Sequence, residues 1–172
     1  MRKSASFFAA LLTAAAVSAA PVKYTGNKAV LQRIYDAMNS NDATALEQVV
    51  SVNAVTHDLP AGMTPGVRGV EELLVVLNRA FPDFKIVVQD MVAEGDRVAA
   101  RIMFTGTHEG EFLGIARTGR QVAYTGIQYF QFANGKAVEM WSFMDHERLK
   151  RQLAPVANKP AEAAPAKAPT AK

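Results

Sequence analysis

The chain has 172 residues, of which 49% are hydrophobic, 20% are charged and none is a cysteine. This length supports one domain with a core of ordinary size, and the lack of cysteine excludes disulfides and thiolate chemistry. The formal charge is +3, but residues 1–19 and 154–172 each contribute two net positive charges, which leaves residues 20–153 at −1. No basic face for a nucleic acid partner is therefore expected.

Residues 1–19 have the layout of a secretory signal peptide. Arg2 and Lys3 precede an apolar run over residues 7–17, and short side chains follow up to Ala19, where a signal peptidase would cut. The run is shorter than the roughly 20 apolar residues of a spanning helix, which favours cleavage over an uncleaved anchor. We therefore expect a periplasmic or secreted protein with no stable membrane insertion after cleavage.

The first part of the body, residues 20–153, has helical periodicity. Apolar side chains recur at spacings of 3, 4, 7 and 8 over residues 27–39, where Asn27 can cap the helix. Asp42 can cap a second, short helix that ends near residue 50. A third helix is predicted over residues 70–80. Between the last two helices, residues 52–59 are predicted to form a brief strand.

From residue 84 onward the apolar period changes from 3.6 to 2, which is typical of strands. Asn134-Gly135 is a hairpin signal, because a tight primed turn needs positive φ. Residues 145–153 are predicted to close the domain as a helix, and residues 154–172, rich in Ala, Pro and Lys, are predicted to be disordered. The four predicted strands cover residues 84–93, 97–108, 121–133 and 136–144.

Helices followed by a strand meander indicate an α+β fold. One face of such an antiparallel sheet must be covered by the helices. We therefore predict a cone-shaped, curved antiparallel sheet wrapped around three N-terminal helices and enclosing an apolar pocket, which is the usual form of a small-molecule site.

His108 is the first candidate functional residue. It ends the inward row of the strand over residues 97–108 and begins a loop that contains Gly110 and Gly114. An inward imidazole with a pKa near 6.5 can act as acid or base or can orient a carbonyl. The alternative is a histidine that is hydrogen-bonded at a strand end without a catalytic role.

Several short motifs occur in a characteristic order over residues 27–153. They are His57-Asp58, Phe81-Pro82-Asp83, Glu94-Gly95-Asp96-Arg97-Val98, Gly106-Thr107-His108 with Gly110, Thr118-Gly119, Asn134-Gly135-Lys136 with Trp141, Asp145, and Gln152-Leu153. In this order the chain resembles the SnoaL-like polyketide cyclases, or ester cyclases, which share the cone of nuclear transport factor 2 and ketosteroid isomerase. The resemblance implies cofactor-free acid/base ring closure in an apolar pocket.

The last strand departs from the family pattern. The resemblance implies His-Trp-Asp with the first and third side chains inward, whereas this chain has Met140-Trp141-Ser142. Neither a thioether nor a serine hydroxyl is a good proton donor or acceptor near neutral pH, so His108 is the predicted catalyst, with His57 or Asp145 as partner. The alternatives are turn capping for His57-Asp58 and helix capping for Asp145. The predicted ligand-binding residues, which are otherwise core residues, are Trp141, Met140, Ser142, Tyr124, Phe104 and Phe112.

Three functions remain open at this point. The first is an exported protein that binds a small hydrophobic carbonyl compound or ester, with cofactor-free cyclase or isomerase activity. The second is a periplasmic binding module without catalysis, and the third is a homodimerising scaffold that uses the open sheet face, as the resemblance implies. Each histidine lies beside an acid, but the spacing of metal-binding motifs is missing, so no metal is expected. The resemblance also implies that no cofactor is needed.

Overall fold

The computed structural model describes residues 23–154 as four helices and five strands. The predicted signal peptide and residues 155–172 of the predicted tail lie outside the described residues. None of the helices within the described range is long and apolar enough to cross a membrane. The helices are α1 (Gly26–Ser40), α2 (Ala43–Val49), α3 (Val67–Ala80) and α4 (His146–Leu153).

The strands form one curved, open sheet in the order β1-β5-β4-β3-β2. Strands β2 to β5 are an antiparallel meander, and the predicted primed turn is present, since φ is 51° at Asn134 and 74° at Gly135. The α+β cone predicted from the sequence is therefore confirmed. The strands are β1 (Val50–Thr56), β2 (Lys85–Glu94), β3 (Arg97–Thr107), β4 (Gln121–Ala133) and β5 (Lys136–Met144).

Strand β1 differs from the prediction. It begins and ends earlier than expected, and it pairs in parallel with β5, so the sheet has five strands and is mixed. An irregularity in the pairing lies between Val50 and Val55. Val50 and Ala54 are buried, whereas Val52, which alternation places on the same face, is 69% exposed. Alternation in the sequence alone does not reveal this irregularity.

The predicted starts of two helices were also wrong. Thr25, not Asn27, is the N-cap residue of α1, and the Asn27 side chain instead donates to the carbonyl oxygen of Gly95. Helix α3 begins three residues before the predicted start, after Gly66, whose φ of 79° turns the chain into the helix. A β-carbon at Gly66 would lie 1.9 Å from the carbonyl oxygen of Val52, so this close contact requires glycine.

The core lies between the helices and the inward row of the sheet. The inward side chains of β3, from Val98 to Phe104, are buried as the alternation predicted. Helix α4 packs at the open edge of β4 beyond the end of β5, where the Gln152 side chain accepts from the Ala123 N–H and donates to the Ala123 carbonyl. The side-chain amide of Gln152 thus makes the two backbone hydrogen bonds that a neighbouring strand would otherwise make at Ala123.

Candidate functional site: an apolar cavity in the cone

A cavity of about 210 Å³ lies between the inner face of the sheet and helices α1 and α3. Most of its wall is apolar, with Ile34 and Met38 from α1, Leu73 and Leu77 from α3, and aromatic and aliphatic side chains from the sheet. The volume suits a small molecule of roughly one or two rings, below the 300–1,000 Å³ that is usual for drug-sized ligands.

All six residues predicted to bind a ligand line this cavity. Phe104, Tyr124 and Met140 are buried, whereas the others are half-buried. Their placement follows from strand alternation for most of them and from the loop after β3 for Phe112. That they bind a ligand stays a prediction. The six are Trp141, Met140, Ser142, Tyr124, Phe104 and Phe112.

A chain of hydrogen bonds crosses one side of the cavity. The Tyr35 hydroxyl donates to Oε1 of Gln128 at 3.0 Å, and Nε2 of Gln128 donates to the Ser142 hydroxyl at 2.9 Å. The backbone N–H of Ser142 donates to Oδ2 of Asp58 at 2.7 Å. These four residues all line the cavity. Burial raises the pKa of Tyr35 above its usual value, so the phenol keeps its proton.

A second polar group of the cavity wall is Thr56. Within residues 23–154, its buried hydroxyl oxygen has no hydrogen-bond partner. Thr56 pairs with Met140 across β1 and β5, two residues from Ser142, and Gln128 pairs with Ser142 across β4 and β5. Polar side chains from three neighbouring strands therefore meet on one part of an otherwise apolar wall.

His108 is fully buried but does not belong to the cavity wall. Its Nδ1 is 3.0 Å from the Thr118 hydroxyl, and its Nε2 has no partner among the described residues. Burial lowers the pKa of His108, and the nearby Glu109 carboxylate acts in the opposite direction. The Phe81 ring packs on the imidazole, with centroids 5.2 Å apart, and also on Phe112 of the cavity wall. The aromatic layer separates this histidine from the cavity.

The two proposed partners of His108 also lie outside the cavity wall. His57 is exposed, its ring stacks on Trp141 with centroids 4.6 Å apart, and its Nε2 is 2.8 Å from Oε1 of Glu139. Asp145 caps α4, since its carboxylate accepts from the N–H of Arg148 at 2.8 Å. The structure thus does not bring the three predicted catalytic side chains together.

The residues that follow His57 and Asp145 in the sequence are Asp58 and His146, and both line the cavity. Of the pair His57-Asp58, only the aspartate lines the cavity. Sequence reasoning missed Tyr35, Gln128 and Thr56. Gln128 and Thr56 lie in inward rows, beside Phe130 and Ala54 respectively, and a polar residue in such a row was the available signal.

No group of three or more histidine, aspartate or glutamate side chains within residues 23–154 is arranged to hold a metal ion. The polar side chains that line the cavity carry hydroxyl, amide, carboxylate and imidazole groups. These groups can form hydrogen bonds and transfer protons.

Comparison with known proteins agrees with this fold. A family model for SnoaL-like polyketide cyclase matches residues 28–153. TsrD from Streptomyces laurentii superposes with a TM-score of 0.69 at 25% identity, over 74% of this chain and 93% of TsrD. For IdmH from Streptomyces antibioticus, proposed to be a polyketide cyclase, the TM-score is 0.67 at 31% identity, over 75% of this chain and 99% of IdmH. A search of curated protein sequences found no match.

The open, curved sheet around helices and the cavity inside it define a protein of the nuclear transport factor 2-like class. Within that class, the chain belongs to the SnoaL-like polyketide cyclase family, because the family model covers nearly the whole of the described domain.

Proposed function

We propose that this protein binds a small hydrophobic carbonyl compound in the cavity of the cone. The observation that carries the proposal is an apolar cavity of about 210 Å³ with one polar side, made by Thr56, Gln128 and Ser142. Burying the apolar part of a ligand supplies affinity, at roughly 25 cal/mol per Å². A few placed polar groups supply orientation.

Binding can be tested with cyclohexanone, followed by amide chemical shifts in NMR spectra. We expect saturable shifts for residues of the cavity wall. Leu73→Phe places a larger, aromatic side chain in the cavity and should weaken binding roughly tenfold, equivalent to about 1.4 kcal/mol. Val75→Phe is the matched control on the same helix, because Val75 is 66% exposed. Shifts spread over the outer surface, or equal effects of both variants, would contradict a cavity site.

Cofactor-free cyclase or isomerase activity is a second candidate function. It is favoured by Asp58 and His146, two proton-transfer groups of the cavity wall, and by the likeness to IdmH. His108, the catalyst predicted from the sequence, reaches the cavity wall only through the Phe81 ring, which packs on Phe112. A deuterium-exchange assay at the α-carbon of cyclohexanone tests this function: exchange that is lost in Asp58→Asn or His146→Gln supports an enzyme, and no exchange by the wild type supports a binding module.

Export to the periplasm or the medium is also proposed, on the basis of the basic, apolar and small-residue segments in residues 1–19. Expression of the full chain in a bacterial host, followed by cell fractionation and mass spectrometry, tests it. An intact N-terminus in the cytoplasmic fraction would contradict export.

A homodimer formed through the outer sheet face is the remaining proposal. Ile127 and Phe143 are register partners on that face, and they are 52% and 65% exposed. A large exposed apolar pair on neighbouring strands is typical of an interface. We expect sedimentation equilibrium to give twice the chain mass, and Phe143→Lys to give the single mass. Val75→Lys, an exposed helix position, is the control, and a wild-type monomer would refute the dimer.

A further inference from the structure

In the hydrogen-bond chain across the cavity, burial fixes which group donates and which group accepts at each step. Tyr35 is only 2% exposed, and Gln128 is the sole hydrogen-bond acceptor for its hydroxyl within residues 23–154. If the Gln128 amide were turned over, its NH₂ group would face the phenol, and the phenol proton would be buried without an acceptor. Leaving a buried donor unsatisfied costs about 1–3 kcal/mol, which selects the orientation in which Tyr35 donates.

This orientation determines the role of Ser142. The Gln128 oxygen is occupied by Tyr35, so the NH₂ group of Gln128 faces the Ser142 hydroxyl and donates to it at 2.9 Å. A serine hydroxyl has one proton and two lone pairs. Since its oxygen accepts from Gln128, its own proton remains free to be donated to another group. Within residues 23–154 the Ser142 hydroxyl donates to no acceptor, and the hydrogen bond to the Asp58 carboxylate comes from the backbone N–H of Ser142.

The surrounding polar groups are also donors. The Thr56 hydroxyl makes no hydrogen bond within the described chain, and the Gln128 NH₂ group has a second proton. The Asp58 carboxylate beside them would repel a second carboxylate. A neutral acceptor on a ligand can therefore take the Ser142 proton without repulsion from Asp58.

We propose that the Tyr35–Gln128–Ser142 chain presents the Ser142 hydroxyl proton to the cavity, so that the site selects ligands with a neutral carbonyl oxygen over hydrocarbons and carboxylates of the same shape. Ser142 is the specificity-determining residue, Tyr35 and Gln128 are positioning residues, and Asp58 excludes anions. This inference rests on the proposed binding function and adds to it the polarity of the ligand.

The test compares cyclohexanone with methylenecyclohexane, in which a CH₂ group replaces the carbonyl oxygen. The measured quantity is the ratio of the two dissociation constants, compared between wild type and variant, because this comparison cancels the difference in hydration of the two probes. Ser142→Ala should reduce the preference for the ketone roughly fivefold, as expected for one lost hydrogen bond. Ser51→Ala, outside the cavity wall, should leave the ratio unchanged.

Tyr35→Phe separates the directional chain from a simple contact with Ser142. Without the phenol, the Gln128 amide can turn over and accept the Ser142 proton, so the ketone preference should fall although Ser142 is still present. Cyclohexanecarboxylate should bind more weakly than cyclohexanone, because Asp58 repels its charge. Asp58→Asn removes this repulsion and should reduce the difference between the two dissociation constants.

The outcomes are distinguishable. If both neutral probes bind and Ser142→Ala or Tyr35→Phe leaves the ketone preference intact, the directional chain is refuted while the binding function stands. If neither probe produces saturable shifts in the wild type, the binding function itself is refuted. A fall in the ketone preference in both variants, with the Ser51→Ala ratio unchanged, supports the inference.

Discussion

At the scale of single residues, His108 shows how far strand alternation predicts the place of a side chain. The inward direction of His108 was predictable from strand alternation, because Phe104 and Gly106 precede it in the same row. Its distance from the cavity was not predictable, since the Phe81 ring that covers it comes from the end of α3. Sequence periodicity gives the face of a residue but not its neighbours from other elements.

The buried His108 should make stability depend on pH. Its pKa is lowered in the folded protein, so the unfolded chain binds a proton more readily. Stability is then fully present above pH 6.5 and falls as the pH decreases through that value toward the lower folded pKa. One linked proton limits the slope to about 1.4 kcal/mol per pH unit. Urea unfolding between pH 5 and 7.5 measures it.

His108→Asn, which keeps a hydrogen-bonding group but cannot titrate in this range, should flatten that pH dependence. His57→Asn is the control, because His57 is exposed. An unchanged slope in His108→Asn would show that another group is responsible for the loss of stability in acid.

The unpaired hydroxyl of Thr56 should lower the stability of the folded protein. Its hydroxyl oxygen is buried and unpaired within the described residues, and such a group costs about 1–3 kcal/mol. Thr56→Val has nearly the same shape and removes the unpaired oxygen, so we expect it to raise the free energy of unfolding by about 1 kcal/mol. Chemical denaturation measures this change, with Thr125→Val on strand β4 as the comparison. A loss of stability would mean that the hydroxyl has a partner in solution.

At the scale of elements, the caps of two of the four helices and the turn between β4 and β5 were predictable. Asp42 and Asp145 cap α2 and α4 as their sequence positions indicated, because a side-chain oxygen at the N-cap satisfies a free backbone N–H. The early start of α3 and the parallel pairing of β1 were not predictable. Both depend on contacts over long sequence separations, such as Gly66 against Val52 and β1 against β5.

The cap at α4 separates a structural from a catalytic role for Asp145. Asp145→Ala should lower the free energy of unfolding by about 1 kcal/mol, the usual cost of losing an N-cap, while cyclohexanone binding stays the same. Asp145→Ser, which can still cap, should restore most of the stability. A large effect on ligand binding or turnover without loss of stability would instead favour the catalytic prediction.

At the scale of the whole molecule, the cavity depends on the complete fold. The cavity wall is built from α1, α3 and all five strands or their ends, including Ile34, Leu73 and Ile86, so it exists only in the folded state. The cone and its cavity were predictable from the order of helices and strands, but the cavity volume was not, because it depends on how far helix and sheet stay apart.

Because only the folded state can bind, cyclohexanone at ten times its dissociation constant should stabilise the protein by about 1.4 kcal/mol. Thermal unfolding at several ligand concentrations measures this effect. Leu73→Phe should show a smaller increase than Val75→Phe at the same concentration. Equal stabilisation of both variants would indicate that the ketone acts through the solvent.

The stacking of His57 on Trp141 also provides an optical probe. Trp141 is the only tryptophan of the chain, and its indole lies face to face with the imidazole across the junction of β1 and β5. Indole emission therefore reports on one edge of the sheet, whereas circular dichroism averages over every helix and strand. If the parallel edge strand detaches before the meander melts, the two signals will have different midpoints, and early opening of this edge becomes visible without any label.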